Sequence, residues 1–267
     1  MRWDRFVESF RTMGLERTRR ALALLPLAAF VLLYGILALL LEPAWSPAFA
    51  GLALCYLVGF VALGSEWFWA RWYCVGLGWS GVMVGIFGMV SVGFVSPLVI
   101  YATMHGTIVL LLKGKSLSGL YEGQTAWRTR FELDDHGVIR VGKTVSRTSA
   151  SLPALVIWAL GPKQPTQLLA VAITSKSLSE WAVLAALVVA MFGIFALVRG
   201  RALGACLVVA AAGIAIVCLP TALPASVSSN QIAVTGLFAG AVLAAPLALL
   251  GAVLPLFHPL RNFLRGR

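Results

Sequence analysis

Charge is scarce in this sequence. Only 12% of the 267 residues are charged, whereas 60% are hydrophobic, and the mean hydropathy is +0.91. A water-soluble globular fold is excluded, because one core in a chain of this length could not hide so much apolar surface. The net charge of +11 does not indicate nucleic acid, since the basic residues lie at the ends of apolar runs. We expect a lipid bilayer with anionic headgroups as the partner.

Cysteine is also sparse, and its pattern is not that of a metal site. None of the four cysteines belongs to a CxxC pair or has a histidine at ligand spacing. This argues against a disulfide framework and against a zinc site. We expect thiols that are buried as small hydrophobic groups, and no metal. The four are Cys55, Cys74, Cys206 and Cys218.

Acidic residues are missing from the interior of the apolar runs, since Glu42, Glu66 and Glu180 all lie at run boundaries. Ion-driven transporters commonly place carboxylates within the membrane, so this absence disfavours a secondary active transporter. Nucleophile-elbow and HExxH motifs are absent as well. We expect a non-enzymatic protein without catalytic residues or cofactor. An intramembrane enzyme stays an open alternative, because such a site needs no short motif.

Long apolar runs are what the sequence has instead. About 20 apolar residues cross the hydrocarbon core. The run 73–112 is too long for one crossing, so we divide it near residues 93–97, where glycine and proline favour a chain reversal. A signal peptide cleaved near residues 48–50 is disfavoured by the length of the first run. The other candidate spans are residues 21–41, 48–64, 180–198, 202–222 and 232–257.

Residues 151–173 are ambiguous, because the polar sequence Gly-Pro-Lys-Gln-Pro interrupts two apolar pieces. If this segment crosses, the chain has eight spans and its basic residues lie almost entirely on one side. If it does not, the five arginines that follow it move to the other side. The positive-inside rule favours the crossing. The sequence thus predicts an all-α polytopic protein of the bacterial cytoplasmic (inner) membrane, with about eight transmembrane helices and both termini cytoplasmic.

The predicted layout divides the chain into a basic arm, two sets of spans, an insert and a tail. The arm is either an interfacial amphipathic helix or a frayed tail. The parts are the arm 1–20, helices 1–4 in 21–112, a basic cytoplasmic insert in 113–150, helices 5–8 in 151–257, and a basic cytoplasmic tail in 258–267.

The insert has the pattern of a small β-hairpin. Apolar and polar residues alternate over 127–133, and Val138-Ile139-Arg140-Val141 follows the turn-forming sequence Asp134-Asp135-His136-Gly137. These four residues include metal-ligand types, but they are also ordinary turn formers. Residues 137–144, GVIRVGKT, match a phosphate-binding loop literally. Their strand-favouring centre, which lacks flexible residues, disfavours nucleotide binding.

Aromatic residues cluster at a predicted membrane boundary. Trp rings are apolar while their N–H groups stay wet, which favours the headgroup level. An aromatic lipid or quinone site is the alternative. The candidate interfacial anchors are Trp67, Trp69, Arg71 and Trp72.

Two GxxxG pairs predict close helix packing: Gly81 with Gly85, and Gly236 with Gly240. Small residues at this spacing let helix backbones approach within a membrane. The partner is either another span of this chain or another subunit.

Two ionisable side chains remain at membrane depth as candidate functional polar sites. His105, in the fourth span, is either a hydrogen-bonded structural group or a functional one. Lys163 lies in the interruption of the fifth span, and broken helices in transporters expose backbone groups near the midplane. A shallow, water-accessible loop or re-entrant turn is the alternative.

Two functions compete on this pattern. The first is a non-enzymatic membrane component or assembly subunit of a bacterial membrane complex, which would bind other membrane subunits. The alternative is a transporter or flippase-like protein for a neutral or anionic small molecule or lipid, which would use the broken fifth span.

Overall fold

The computed structural model describes residues 14–40, 43, 45–130, 135–161, 178–199, 201, 203–219 and 232–254. Within these residues the regular elements are α-helices, and none is a strand. The helices are α1 (Leu15–Leu40), α2 (Ser46–Gly64), α3 (Ala70–Val92), α4 (Ser96–Leu112), α5 (Lys115–Glu122), α6 (Thr125–Arg130), α7 (Asp135–Leu160), α8 (Leu178–Val198), α9 (Leu203–Cys218) and α10 (Ile232–Val253).

Among the described residues, five helices are long and apolar enough to cross a membrane. They are α1, α2, α3, the part Trp181–Val198 of α8 and the part Thr235–Val253 of α10. Many of their large apolar side chains face outward, as those of a helix in lipid do. The chain is therefore a membrane-embedded helical protein. The reversal expected near residues 93–97 lies where α3 ends at Val92 and α4 begins at Ser96.

The count of eight spans is not supported. Helices α4 and α9 are apolar but have only 17 and 16 residues, and the first half of α7 is polar. The segment 151–173 is described only as far as residue 161, where α7 has ended, and its polar interruption lies outside the described residues.

The predicted β-hairpin is wrong. Trp127 and Thr129 lie in α6, and residues 138–141 lie in α7. Val138, Gly142 and Val145 are buried on one face of α7 at helical spacing, and this spacing continues along the helix. A helical period of this length is a stronger signal than the short alternation of apolar and polar residues that predicted strands. Residues 137–144 are also helical, so their backbone amides are not arranged as a phosphate-binding loop.

Helix α3 lies at the centre of the bundle, where it packs against α4, α7 and α10. Its neighbours α4 and α10 run antiparallel to it: Gly85 lies beside Ala102 of α4, and Gly88 lies beside Gly236 of α10. Helix α7 runs parallel to it, since Trp72 contacts Gly142 and Gly76 contacts Ser149. We call the end of the bundle where α3 begins and α4 ends the basic end.

The second half of α7 is buried along its whole length, from residue 148 to residue 159. Its hydroxyl groups are satisfied within the helix: Thr148 donates to the carbonyl of Thr144 at 2.8 Å, and Ser149 donates to that of Val145 at 2.7 Å. Back-bonding of this kind lets short polar side chains lie inside a helical bundle. A hydropathy average alone therefore underestimates how well such a helix can be buried in the bundle.

Candidate functional site

Arg71 organises the basic end of the bundle. Its Nε donates to the carbonyl of Leu112 at 3.0 Å, and its Nη2 donates to that of Gly114 at 3.1 Å. Leu112 ends α4, where helix carbonyls lack intrahelical partners and carry partial negative charge. The Arg71 guanidinium also forms an ion pair with Glu122. Arg71 therefore both caps α4 and holds α5.

Helices α5 and α6, together with the α2–α3 turn (residues 65–69), form a structure that we call the collar. Glu122 also accepts a hydrogen bond from Trp72 Nε1 at 2.7 Å. Tyr121 donates to the carbonyl of Leu63 at 3.1 Å. Burial raises the pKa of Tyr121 to about 12, so this hydroxyl stays a donor at neutral pH.

Further contacts tie the collar to α1. Arg20 pairs with Glu66, whose carbonyl also accepts from Gln124 Nε2 at 2.9 Å. Arg19 donates to the carbonyl of Leu110 at 3.0 Å and to that of Lys113. The first turns of α1 thus belong to the bundle, although the sequence placed residues 15–20 in a separate arm.

The predicted aromatic anchors divide into outward and inward groups. Trp67 is half-exposed, whereas Trp72 is buried. Within the collar, the rings of Phe68 and Trp127 stack with centroids 3.9 Å apart. Trp69 is partly buried and meets Tyr73 edge to face at 5.6 Å. Arg71 and Trp72 therefore lie in internal contacts, while Trp67 faces outward.

His105 lies about two turns before the end of α4, fully buried between α1, α2, α3 and α4. Its Nδ1 is 2.7 Å from the carbonyl oxygen of Tyr101, and its Nε2 is 2.6 Å from Tyr56 Oη. A carbonyl can only accept, so Nδ1 carries the proton and Nε2 accepts from Tyr56. Both ring nitrogens are therefore satisfied in the neutral state.

Aromatic rings complete the surroundings of His105. Phe30 lies 4.1 Å from the imidazole, centroid to centroid. Tyr34 donates to Tyr101 Oη at 3.2 Å. We call His105, Tyr34, Tyr56 and Tyr101 the His105 network. It extends across three helices without a charged group among its members.

The GxxxG glycines face helices of the same chain. A Cβ on Gly81 would overlap the imidazole of His105, and one on Gly85 would lie 2.8 Å from the Ala102 side chain. In α10, a Cβ on Gly236 would lie 2.8 Å from Val92, and one on Gly240 would overlap the Val84 carbonyl. Both pairs thus lie at contacts of α3.

An open groove lies between α2 and α8, and it contains a cavity of about 420 Å³. Leu54 and Val58 form one wall, while Met191 and Phe195 form the other. Its floor is the buried face of α7, at residues such as Val156.

No group of three or more metal-ligating side chains occurs among the described residues. Cys74 and Cys218 are buried and Cys55 is partly buried, but Cys206 is exposed, contrary to expectation. Lys163, the other predicted polar site, lies outside the described residues.

The sequence interpretation missed Glu122, Tyr56 and Tyr101. Glu122 is an acidic residue in a basic insert, and the tyrosines are polar groups within apolar runs. A polar or charged residue in such surroundings indicates that it has a hydrogen-bonding or charged partner, but the sequence does not identify that partner. No protein-family model, curated protein or solved structure matches the chain.

Proposed function

We propose that the chain is a non-enzymatic component of a bacterial membrane complex and that its collar binds another subunit. The way in which α5 is held on the bundle supports this most directly. A segment that only linked α4 to α7 would need sufficient length and no fixed position. Instead, Glu122 accepts hydrogen bonds from both Arg71 and Trp72, and Tyr121 donates a hydrogen bond to a carbonyl of α2. Such contacts hold a surface in one shape, which lowers the entropic cost of binding.

The charge of this surface suggests an acidic partner. Arg130 of α6 is exposed, and so is Lys143 of α7, next to Gly142, which lies against Trp72. Complementary charge speeds encounter and selects partners. The proposal places the basic end in the cytoplasm of an inner-membrane protein, in accordance with the positive-inside rule. It includes eight crossings. Five are the helices that are long and apolar enough to span a membrane, and the other three are α4, α7 and α9, which do not meet those criteria.

Co-purification from native membranes in mild detergent tests this function. The proposal predicts that wild-type protein retains other subunits and that the double variant Arg130→Gln with Lys143→Gln loses them. Arg17→Gln is the matched control, since Arg17 is exposed on α1 and lies off the collar. Recovery of the wild type only as a lone monomer would contradict the proposal.

The second candidate is a transporter or flippase-like protein for a neutral or anionic small molecule or lipid. The groove favours it, because its lining follows α7 as far as Leu160, three residues before Lys163. Transport by the purified chain in vesicles, abolished by Lys163→Ala, would support it. Transport unchanged by that substitution would remove the proposed role of Lys163.

A further inference from the structure

The groove between α2 and α8 is apolar along its length and open at the side. Its wall residues Leu54, Met191 and Phe195 are each about half exposed, at 56%, 51% and 54%. In a membrane such a groove is not filled by water, because its walls offer almost no polar groups to hydrogen-bond. It must therefore be covered by a lipid chain or by another apolar segment.

Along α8, the groove is about as long as one leaflet is deep. On α8 its lining runs from Val198 at the basic end to Leu187, which is about 16 Å at 1.5 Å per residue. The hydrocarbon core is about 30 Å thick, so one leaflet contributes about 15 Å. On α8 the groove wall thus extends from the membrane boundary to the region of the midplane.

The end of the groove at the membrane boundary carries groups that suit a lipid headgroup. Trp69 lines it there, and indole rings favour the headgroup level. The Arg199 guanidinium lies over the ring of Phe195, with Cζ 4.0 Å from the ring centroid, and its side chain is exposed. A cation at the open end of an apolar groove complements an anionic headgroup whose acyl chain lies inside.

We propose that this groove is a binding site for one acyl chain of an anionic phospholipid from the leaflet at the basic end, with Arg199 binding its phosphate. A transmembrane helix fits the site less well. A helix is about 10 Å wide and must cross both leaflets, whereas the α8 wall of the groove, from Val198 to Leu187, covers only one. The site shares only Trp69 with the collar and does not depend on the proposed subunit function.

Photocrosslinking tests the site directly. The full-length chain is reconstituted in phosphatidylcholine vesicles that contain phosphatidylglycerol with a diazirine on its acyl chain, and crosslinked peptides are mapped by mass spectrometry. We expect crosslinks within residues 187–198 of α8 and 51–58 of α2. We also expect a yield roughly fivefold above that of diazirine-phosphatidylcholine, the effect of about one cationic side chain at the surface.

Two variants with matched controls separate the chain site from the headgroup site. Met191→Trp fills the groove and should reduce these crosslinks strongly, whereas Phe192→Trp should not, because Phe192 is exposed on the same helix but does not line the groove. Arg199→Gln should remove the preference for phosphatidylglycerol, whereas Arg17→Gln, which changes an exposed charge that does not line the groove, should retain it.

Three results would overturn the proposal. The first is labelling spread evenly around α8 and unchanged in Met191→Trp, which would indicate only bulk lipid. The second is groove peptides crosslinked to a co-purified polypeptide in place of lipid, which would identify a partner helix. The third is a phosphatidylglycerol preference that survives Arg199→Gln, which would remove the headgroup assignment. Collar variants that lose other subunits should leave the lipid crosslinks unchanged. Failure of the lipid-site proposal can therefore be distinguished from failure of the proposed subunit function.

Discussion

The collar and the His105 network are both polar clusters, but they stabilise the protein in different ways. The collar uses charges at the end of the bundle, where Arg71 donates to the carbonyl of Leu112 at the end of α4 and pairs with the carboxylate of Glu122. The His105 network uses neutral groups in the interior, where each imidazole nitrogen has one partner. Charged groups are tolerated at the end of the bundle, because helix ends and water there reduce the cost of desolvation. In the interior nothing reduces that cost, so the polar groups there are neutral.

This contrast predicts its largest effect at Arg71. Arg71→Ala leaves Glu122 and the carbonyls of Leu112 and Gly114 without their cation, so we expect a loss of about 3–5 kcal/mol in the free energy of unfolding. Unfolding in mixed micelles, followed by circular dichroism during an SDS titration, measures it. Arg71→Ala combined with Glu122→Gln should recover part of the loss. If the double variant loses as much as the two single changes added together, the pair is not coupled.

A smaller effect is expected where α3 meets the His105 network. Gly81→Ala places a methyl group on the imidazole, and we expect a loss of about 1–3 kcal/mol from overpacking. Gly213→Ala is the control, because nothing lies within 4 Å of a Cβ at that position of α9. The control should be neutral or slightly stabilising, since alanine is the better helix former. Equal stability of both variants in the same SDS titration would mean that α3 and α4 are not packed this closely.

The hydrogen bond of Tyr56 to His105 should contribute about 1–2 kcal/mol, because Tyr56→Phe leaves a buried imidazole nitrogen without its donor. A double-mutant cycle with His105→Phe isolates the interaction, since the doubly substituted chain has no unpaired nitrogen. The coupling should be about 1 kcal/mol and nearly independent of pH between 6 and 8 if the network is neutral. A coupling that grows as pH falls would indicate a charged imidazole and would end the contrast with the collar.

The smallest effect is expected for the aromatic stack of the collar. Trp127→Leu removes the stacking on Phe68 and the edge contact with Trp72, which should cost about 0.5–1.5 kcal/mol beyond the lost burial. Trp67→Leu is the control, because Trp67 is half-exposed. Both proteins should still insert in membranes, which fractionation checks. A greater loss for Trp67→Leu would show that the outward ring anchors the protein more than the inward one.

Several parts of the fold follow from local sequence. The positions of α1, α2, α8 and α10 were predictable because a long apolar run is itself sufficient reason for a helix in lipid, where every backbone group must be bonded internally. The reversal between α3 and α4 was predictable from glycine and proline. The insert was not, because seven residues of alternation fit a strand and a helix face alike.

The candidate sites were predictable only in part. His105 and Arg71 were conspicuous as polar residues in or beside apolar runs, but their partners come from other helices: Tyr56 is 49 residues from His105, and Glu122 is 51 residues from Arg71. The groove could not be predicted at all, because it exists only where α2 and α8 fail to meet above α7.

The sequence by itself determined that this protein is helical and lies in a membrane, because the transfer of an apolar run into lipid depends on the composition of that run alone. Only the tertiary structure decided which polar groups are paired, that both GxxxG pairs face helices of the same chain, and where the bundle leaves a groove. Those properties depend on distances between segments far apart in the chain, and no local pattern of residues specifies them.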